Sequence, residues 1–285
     1  MRVKMCAACV ALFLLLTGCG GGTGMDSTGA SAGQAADALR VWCFQAGKAD
    51  AFLFWNADGA VLLDTGDSGF GKTILEKLSE LGISRLDYLI ITHFDKDHVG
   101  GAKKILSEIP VGTVLQSNSP KPGAEAYEKY VGALQTGGIE PITVRSSLRF
   151  SLGDACFTVD PPALEHYPED ASNNSSLIVS VTHGANRMLF CGDAADQRLT
   201  EYLEGAPGRF ALVKLPHHGR YQESLRALLE ESRPAYVVVT ASDEEPEDAE
   251  TLALLEAYGT EVLLTRSGPI QIVSTPEGLT AGCAD

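Results

Sequence analysis

Ten consecutive residues, Thr92-His93-Phe94-Asp95-Lys96-Asp97-His98-Val99-Gly100-Gly101, constrain this chain more than any other segment. They set four metal-ligating side chains, His93, Asp95, Asp97 and His98, within six positions of one loop. The loop follows a continuous apolar run at 86–91, the mark of a strand buried on both faces, and precedes a helix-spaced stretch at 102–109. Side chains of such a loop project from the end of a sheet, where imidazole and carboxylate can converge on Zn, Mn or Fe. Alternate spacing lets His93 and Asp95 face one ion while Asp97 and His98 face another. The glycine pair is expected to let the backbone turn closely into the helix. The plain alternative is a charged surface turn with two stray histidines, and the order of strand, ligands, double glycine and helix weighs against it.

The remaining elements alternate in the same style. Apolar runs at 41–44, 51–55 and 60–63 read as strands bounded by turn residues, and 73–81 carries Ile74, Leu75, Leu78 and Leu81 on one helical face. Further strands are expected at 111–116, 156–159, 177–181, 187–191, 211–215, 235–239 and 261–264, with helices at 196–203, 224–231 and 248–258. Two mixed sheets with helices outside them bury all these apolar faces.

Four other places share the setting of the loop. Asp64 ends an early strand in Leu62-Leu63-Asp64-Thr65-Gly66, and Asp193 follows another in Cys191-Gly192-Asp193. His217-His218-Gly219 follows a third strand, and Asn173-Asn174-Ser175-Ser176 precedes a fourth. Together these segments resemble the metallo-β-lactamase superfamily and its His-x-His-x-Asp-His signature, with Asp95 in place of the second histidine. The Asn-Asn-Ser segment stands where many relatives carry a further histidine. With His-His-Gly, these departures resemble the soluble hydrolase domain of ComEC-type competence proteins, which is thought to degrade one DNA strand during uptake. The fold class so implied is α/β, a four-layer αββα metallo-β-lactamase sandwich.

The resemblance implies a binuclear centre of two divalent ions, Zn or Mn. One ion would take His93 and Asp95, with Asp193 bridging and Asn174 or water completing its shell. The other would take Asp97, His98, Asp193 and one of His217 and His218. The choice within that pair is open, its other member contacting substrate or donating a proton, so Asp97, His217 and His218 are the expected catalytic residues. Asp64 is expected to orient a ligand, not to bind metal. Replacing histidine by oxygen donors hardens the first position, shifting it toward manganese and admitting a one-metal centre. The cations would acidify a shared water, and the resulting hydroxide would attack an ester centre in line.

The amino terminus gives an address. Arg2 and Lys4, an apolar run at 10–16 too short to span a membrane, and Leu16-Thr17-Gly18-Cys19 resemble a lipoprotein export signal. Residues 1–18 are read as the signal peptide, Cys19 as the lipidated residue, 19–38 as a flexible tether and 39–285 as the hydrolase domain. The expected location is the extracytoplasmic face of a bacterial cell membrane, reached through the lipid anchor. Four cysteines, Cys43, Cys156, Cys191 and Cys283, remain beyond Cys19, none in a close pair, so one disulfide is admitted and none specified.

A formal charge of −15 repels polyphosphate unless it is locally reversed. A nuclease needs a basic track, and Lys72, Lys77, Lys103, Lys104, Lys121 and Lys129 are the candidates for one. The leading expectation is therefore a phosphodiesterase acting on nucleic acid or on a smaller cell-wall ester. The alternative is a non-catalytic surface module that keeps a degenerate metal site. Retention of Asp64, Asp97, His98, Asp193 and His218 together argues for the enzyme.

Overall fold

The computed structural model describes residues 38–284; the expected signal and nearly all of the expected tether lie outside them. Strands β1 (Leu39–Cys43), β2 (Phe52–Asn56), β3 (Gly59–Leu63), β4 (Leu86–Ile91), β5 (Val111–Gln116) and β6 (Ile142–Thr143) enter one sheet. The chain then makes β7 (Leu148–Leu152), β8 (Ala155–Asp160), β9 (Ile178–His183), β10 (Asn186–Phe190), β11 (Leu212–Lys214), β12 (Tyr236–Val239) and β13 (Glu261–Leu264), which form a second sheet in the order 13-12-11-10-9-8-7. It returns with β14 (Ile270–Thr275) and β15 (Gly278–Cys283) to complete the first, ordered 15-14-1-2-3-4-5-6.

Period-two alternation sorts each strand's side chains into two cores. In β3, Val61 and Leu63 face the space between the sheets, while Ala60 and Leu62 face helices. Phe52 and Phe54 of the first sheet meet Phe190 of the second edge-on, at ring separations of 5.2 and 5.0 Å. Helices α1 (Gly71–Glu80), α2 (Lys96–Val99), α3 (Ala102–Glu108) and α4 (Glu125–Gly137) belong to the first half, and α1, α3 and α4 cover its outer face through Ile74, Leu78, Ile105 and Tyr130. Helices α5 (Ala171–Asn174), α6 (Asp196–Glu204), α7 (Ser224–Ser232) and α8 (Ala249–Tyr258) follow, the last three covering the second sheet through Leu199, Leu228 and Leu255. The layers are therefore α, β, β, α, as the sequence reading expects.

Each sheet is half antiparallel and half parallel. Strands β3, β4, β5 and β6 run parallel in one, and β10, β11, β12 and β13 run parallel in the other. The carboxyl ends of parallel strands are where chain leaves a sheet with its backbone groups and side chains free for a ligand. Asp64 follows β3, His93 follows β4, Asp193 follows β10, His218 follows β11 and Thr240 follows β12.

The boundaries expected for β4, β5 and β13 coincide with those observed. Helix α4, the hairpin partner β7 and the terminal hairpin β14–β15 are not in the sequence reading. In α4, Gly132 and Gly137 dilute a helical pattern that Ala126, Tyr130, Ala133 and Leu134 nonetheless carry to the core. In β15, no residue is fully buried, so periodicity has little to report. The four cysteines in the described residues are free thiols.

Candidate metal centre

The loop 92–101 turns at the end of β4 into the short helix α2, whose backbone bonds from His98 and Val99 to the Asp95 carbonyl start the turn. A second loop grips it. Thr65 binds the His98 carbonyl through its backbone N–H, at 2.7 Å, and its hydroxyl, at 2.8 Å. The glycine pair has a different reason from the one expected. Gly100 and Gly101 have ordinary helical φ values of −60° and −83°, so no turn requires them. A Cβ on Gly100 would meet Ser68 N at 2.4 Å, and one on Gly101 would meet Thr65 O at 2.3 Å. They are small so that the two loops can touch.

Four expected ligands come together. Donor atoms of Asp97, His98, Asp193 and His218 lie within 4.8 Å of one another. Asp193 Oδ2 stands 3.2 Å from His98 Nε2 and 3.1 Å from His218 Nε2, and Asp97 Oδ2 stands 3.5 Å from His218 Nε2. Within the histidine pair, His218 points inward and is buried, whereas His217 is half-buried at the mouth. Both have positive φ, 47° and 56°, as does Asp64 at 56°. Backbone held in that region costs on the order of 1–3 kcal/mol per residue, and it persists where packing over-determines it. At Gly219 the packing is visible: its φ is +76°, and a Cβ there would meet Val239 at 2.8 Å.

The far nitrogens of the inward histidines are held in turn. His98 Nδ1 lies 2.9 Å from Asp64 Oδ2, and Asp64 also accepts Thr92 N at 2.8 Å and Thr92 Oγ1 at 2.7 Å. Asp64 therefore holds the His98 ring from behind, the contact that orienting a ligand would require. His218 Nδ1 lies 3.0 Å from Thr240 Oγ1. Bonding at Nδ1 leaves Nε2 as the inward donor of each ring.

The electrostatics follow from burial and pairing. Burial is the largest single influence on His98 and His218 and opposes their charge. The carboxylates together outweigh it, Asp193 with Asp64 at His98 and Asp193 with Asp97 and Asp50 at His218, so both imidazoles titrate above their ordinary value. Burial would raise Asp193 and Asp97, but His218 and His98 hold both carboxyls below the usual range. His93 is pushed down to about 4, chiefly by burial and then by His98. Burial also lowers His217 and raises the Asp64 carboxyl, the latter against the pull of His98.

A cation fits this arrangement on its own geometry. Among the described residues, eight buried side-chain atoms lack a hydrogen-bond partner, and four of them are His93 Nε2, His98 Nε2, His218 Nε2 and Asp193 Oδ1. Buried polar atoms are rarely left so. Here they belong to one cluster of imidazole and carboxylate donors, the set that divalent Zn or Mn accepts.

The His93 side is built differently. His93 is fully buried, its ring centre 4.1 Å from that of His98, and its Nε2 stands 3.9 Å from Asp95 Oδ2. Asp95 Oδ1 is engaged by Lys121 Nζ at 2.5 Å and by the Ser172 hydroxyl. Asn174, offered as a completing ligand, is turned away: its Nδ2 donates to Glu169 O at 2.9 Å, and its Oδ1 accepts Arg198 N at 3.0 Å. It caps the first turn of α6, satisfying an orphan helix N–H. Its neighbours face the centre instead. Asn173 Nδ2 lies 3.4 Å from His217 Nε2, and Ser176 Oγ lies 3.4 Å from His93 Nδ1 and 3.2 Å from Asp193 N.

Sequence reasoning passes over Asp50, Lys214 and Thr240, all buried against these ligands. A lysine inside the apolar strand Leu212–Lys214 is a signal that was available. Asp50, beside an alanine on each side, offers none. Of the six lysines proposed as a track, Lys103, Lys104 and Lys129 line one cavity of about 390 Å³, and Lys121 reaches the centre. Lys72 pairs with Glu76, and Lys77 lies over the Trp42 ring at 3.7 Å. His166 is exposed, and His183 is buried with its Nδ1 2.9 Å from Ser274 Oγ, so neither joins the site.

The family model of the metallo-beta-lactamase superfamily matches residues 45–241, and the chain belongs to that superfamily. Among sequence relatives, it is 28% identical to ComE operon protein 3 of Bacillus subtilis over 70% of this chain and 26% of that one. It is likewise 28% identical to competence protein ComA of Neisseria gonorrhoeae, over 72% of this chain and 27% of that one. The chain thus spans about a quarter of the length of these relatives. Among solved structures, the metallo-beta-lactamase fold protein YhfI from Bacillus subtilis matches with a TM-score of 0.58 at 13% identity, covering 86% of this chain and 100% of YhfI. CmlA, a diiron beta-hydroxylase from Streptomyces venezuelae, matches at 0.52 and 16% identity, covering 84% of this chain and 54% of CmlA. At these identities the structures bear on the fold alone.

Proposed function

We propose that this chain is an exported, lipid-anchored, metal-dependent phosphodiesterase. The observation that carries the metal-dependent hydrolase is the convergence of Asp97, His98, Asp193 and His218 with inward imidazole nitrogens that have no hydrogen-bond partner among the described residues. The similarity to competence proteins supports a phosphodiester, of which nucleic acid is one form. Local charge supports it as well. Lys48 Nζ stands 3.8 Å from Asp97 Oδ2, and Lys121 is bound to Asp95, so two ammonium groups flank the mouth of an otherwise acidic centre. No helix in the described residues is long and apolar enough to cross a membrane, and the proposed attachment rests on Cys19.

Zn or Mn, two ions or one, is the proposed occupant; when bound it supplies Lewis acidity and lowers the pKa of a water toward roughly 7. The chain's own residues do the rest. Asp64 and Thr240 hold protons at the Nδ1 atoms of His98 and His218, aiming both Nε2 atoms inward. Lys48 and Lys121 orient a substrate phosphate. Asn173 donating to Nε2 of His217 leaves the ring proton on Nδ1. Burial lowers its pKa, so His217 is a neutral imidazole that offers its Nδ1–H to a substrate oxygen as a hydrogen-bond donor.

A smaller wall-associated phosphodiester is the second reading, favoured by the net charge of −15, which opposes a long polyanion. The test is hydrolysis of bis(p-nitrophenyl) phosphate by the full chain, metal-free and then with Mn or Zn, beside an Asp97→Ala/His98→Ala variant. Metal-dependent turnover lost in the variant is the expected result. Metal binding without turnover redirects the assignment to another ester class. No metal binding at all overturns the enzyme and leaves a binding module.

A further inference from the structure

Asp50 enters the centre from the loop before β2 in the first sheet, and Lys214 enters from β11 in the second. Both are buried, at 1% and 0% exposure. Lys214 Nζ donates to Asp50 Oδ2 and, at 3.0 Å, to the carbonyl of Gly192, the residue before Asp193. It also stands 3.9 Å from Asp193 Oδ1. The other oxygen of Asp50 accepts the Thr240 hydroxyl at 2.7 Å. A carboxylate only accepts, so the single Thr240 proton is committed to Asp50. The lone pair of Thr240 Oγ1 then faces His218 Nδ1 at 3.0 Å, and that nitrogen must be the one carrying hydrogen. The backbone of Asp50 completes the junction, its N–H donating to Asp97 O at 3.1 Å and its carbonyl accepting Gly66 N at 2.8 Å.

We infer that the Asp50–Lys214 pair, acting through Thr240, is the positioning unit of the metal centre: it fixes the His218 ring with Nε2 inward and anchors the Asp193 loop across the two sheets. The inference rests on the metal site proposed above. Fold stability alone is a poor reason for such a pair, because well-packed apolar residues in place of a buried ion pair are often neutral or stabilising. A single substitution, by contrast, strands a buried charge. Outer residues that orient metal ligands typically carry about 10–100-fold in metal affinity.

The test is Mn and Zn affinity by titration calorimetry on the full chain, with thermal unfolding of the metal-free protein measured in parallel. Thr240→Val keeps the shape of the side chain and removes the hydroxyl, while Thr240→Ser keeps the hydroxyl. The double variant Asp50→Leu/Lys214→Met removes the pair without leaving a lone charge. Metal affinity is expected to fall roughly 10–100-fold in Thr240→Val and in the double variant, and to return in Thr240→Ser, with folded metal-free protein in each case. Unchanged affinity in Thr240→Val, whatever its melting temperature, overturns the inference and leaves the metal site standing. Absence of metal binding by the unaltered chain overturns both.

Discussion

On the His218 side of the centre, Asp97, His98, Asp193 and His218 arrive from three different loops with their donors already within 4.8 Å of one another. On the His93 side, one imidazole is buried and inward, while Asp95 shares an oxygen with Lys121 and Ser172, and Asn174 caps a helix. The difference teaches how the ligands are supported. His98 and His218 have their Nδ1 atoms held by Asp64 and by Thr240 backed by Asp50. Among the described residues, His93 has only hydroxyls at Nδ1, Thr92 at 3.2 Å and Ser176 at 3.4 Å. A carboxylate behind an imidazole raises its basicity and fixes its orientation, and hydroxyls at those distances do less.

The comparison breaks first at Asp193, whose Oδ2 serves both inward histidines. Asp193→Ala is expected to cost more metal affinity than the roughly 10–100-fold of an outer residue, and to abolish metal-dependent hydrolysis. Asp95→Ala should cost less, and equal losses by calorimetry would show the two sides to be equally built. Next comes Asp64→Asn, which the left-handed backbone at φ 56° accepts more readily than most residues would be accepted there. It removes the carboxylate behind His98 and should weaken metal binding by about 10–100-fold.

A pH dependence separates the sides without mutation. His98 and His218 titrate above the ordinary value in the metal-free protein. Their contribution to stability is therefore complete below about 6.5, the unfolded value, and is lost as pH rises through their raised values. His93, held at about 4, acts in the opposite sense. Between about 6.5 and 4 the unfolded chain takes up a proton that folded His93 refuses, so acidification across that window lowers stability. Melting temperatures of the metal-free chain against pH, with and without His93→Asn, check this. The variant should lose the His93 part of the acid arm, keep the part due to the likewise lowered His217, and leave the alkaline arm unchanged. Metal binding should also release protons, read as a dependence of calorimetric heat on buffer ionisation. The smallest effect is expected from Lys121→Ala, a modest rise in KM for bis(p-nitrophenyl) phosphate with kcat unchanged. A fall in kcat instead would place Lys121 in the chemistry.

The loop 92–101, Asp64, Asp193 and the His-His-Gly segment were legible because each is a short run of chemically distinctive residues at the end of an apolar strand. The layered fold was legible because strand and helix periodicities are local properties of the chain. Which histidine of the pair turns inward, and which asparagine faces the centre, depended on backbone conformation, on φ near 50° at His217 and His218 and on the start of α6. Asp50, Lys214 and Thr240 depended on tertiary structure altogether, since Lys214 lies 164 positions from Asp50 and Thr240 lies 190. By itself, then, the sequence determined most of the elements, the layered fold and the loop that carries the candidate ligands, all written in neighbouring residues. Only the packing of one sheet against the other decided which donors converge and what holds them, because a buried carboxylate becomes recognisable only beside the cation and the hydroxyl that the second sheet brings to it.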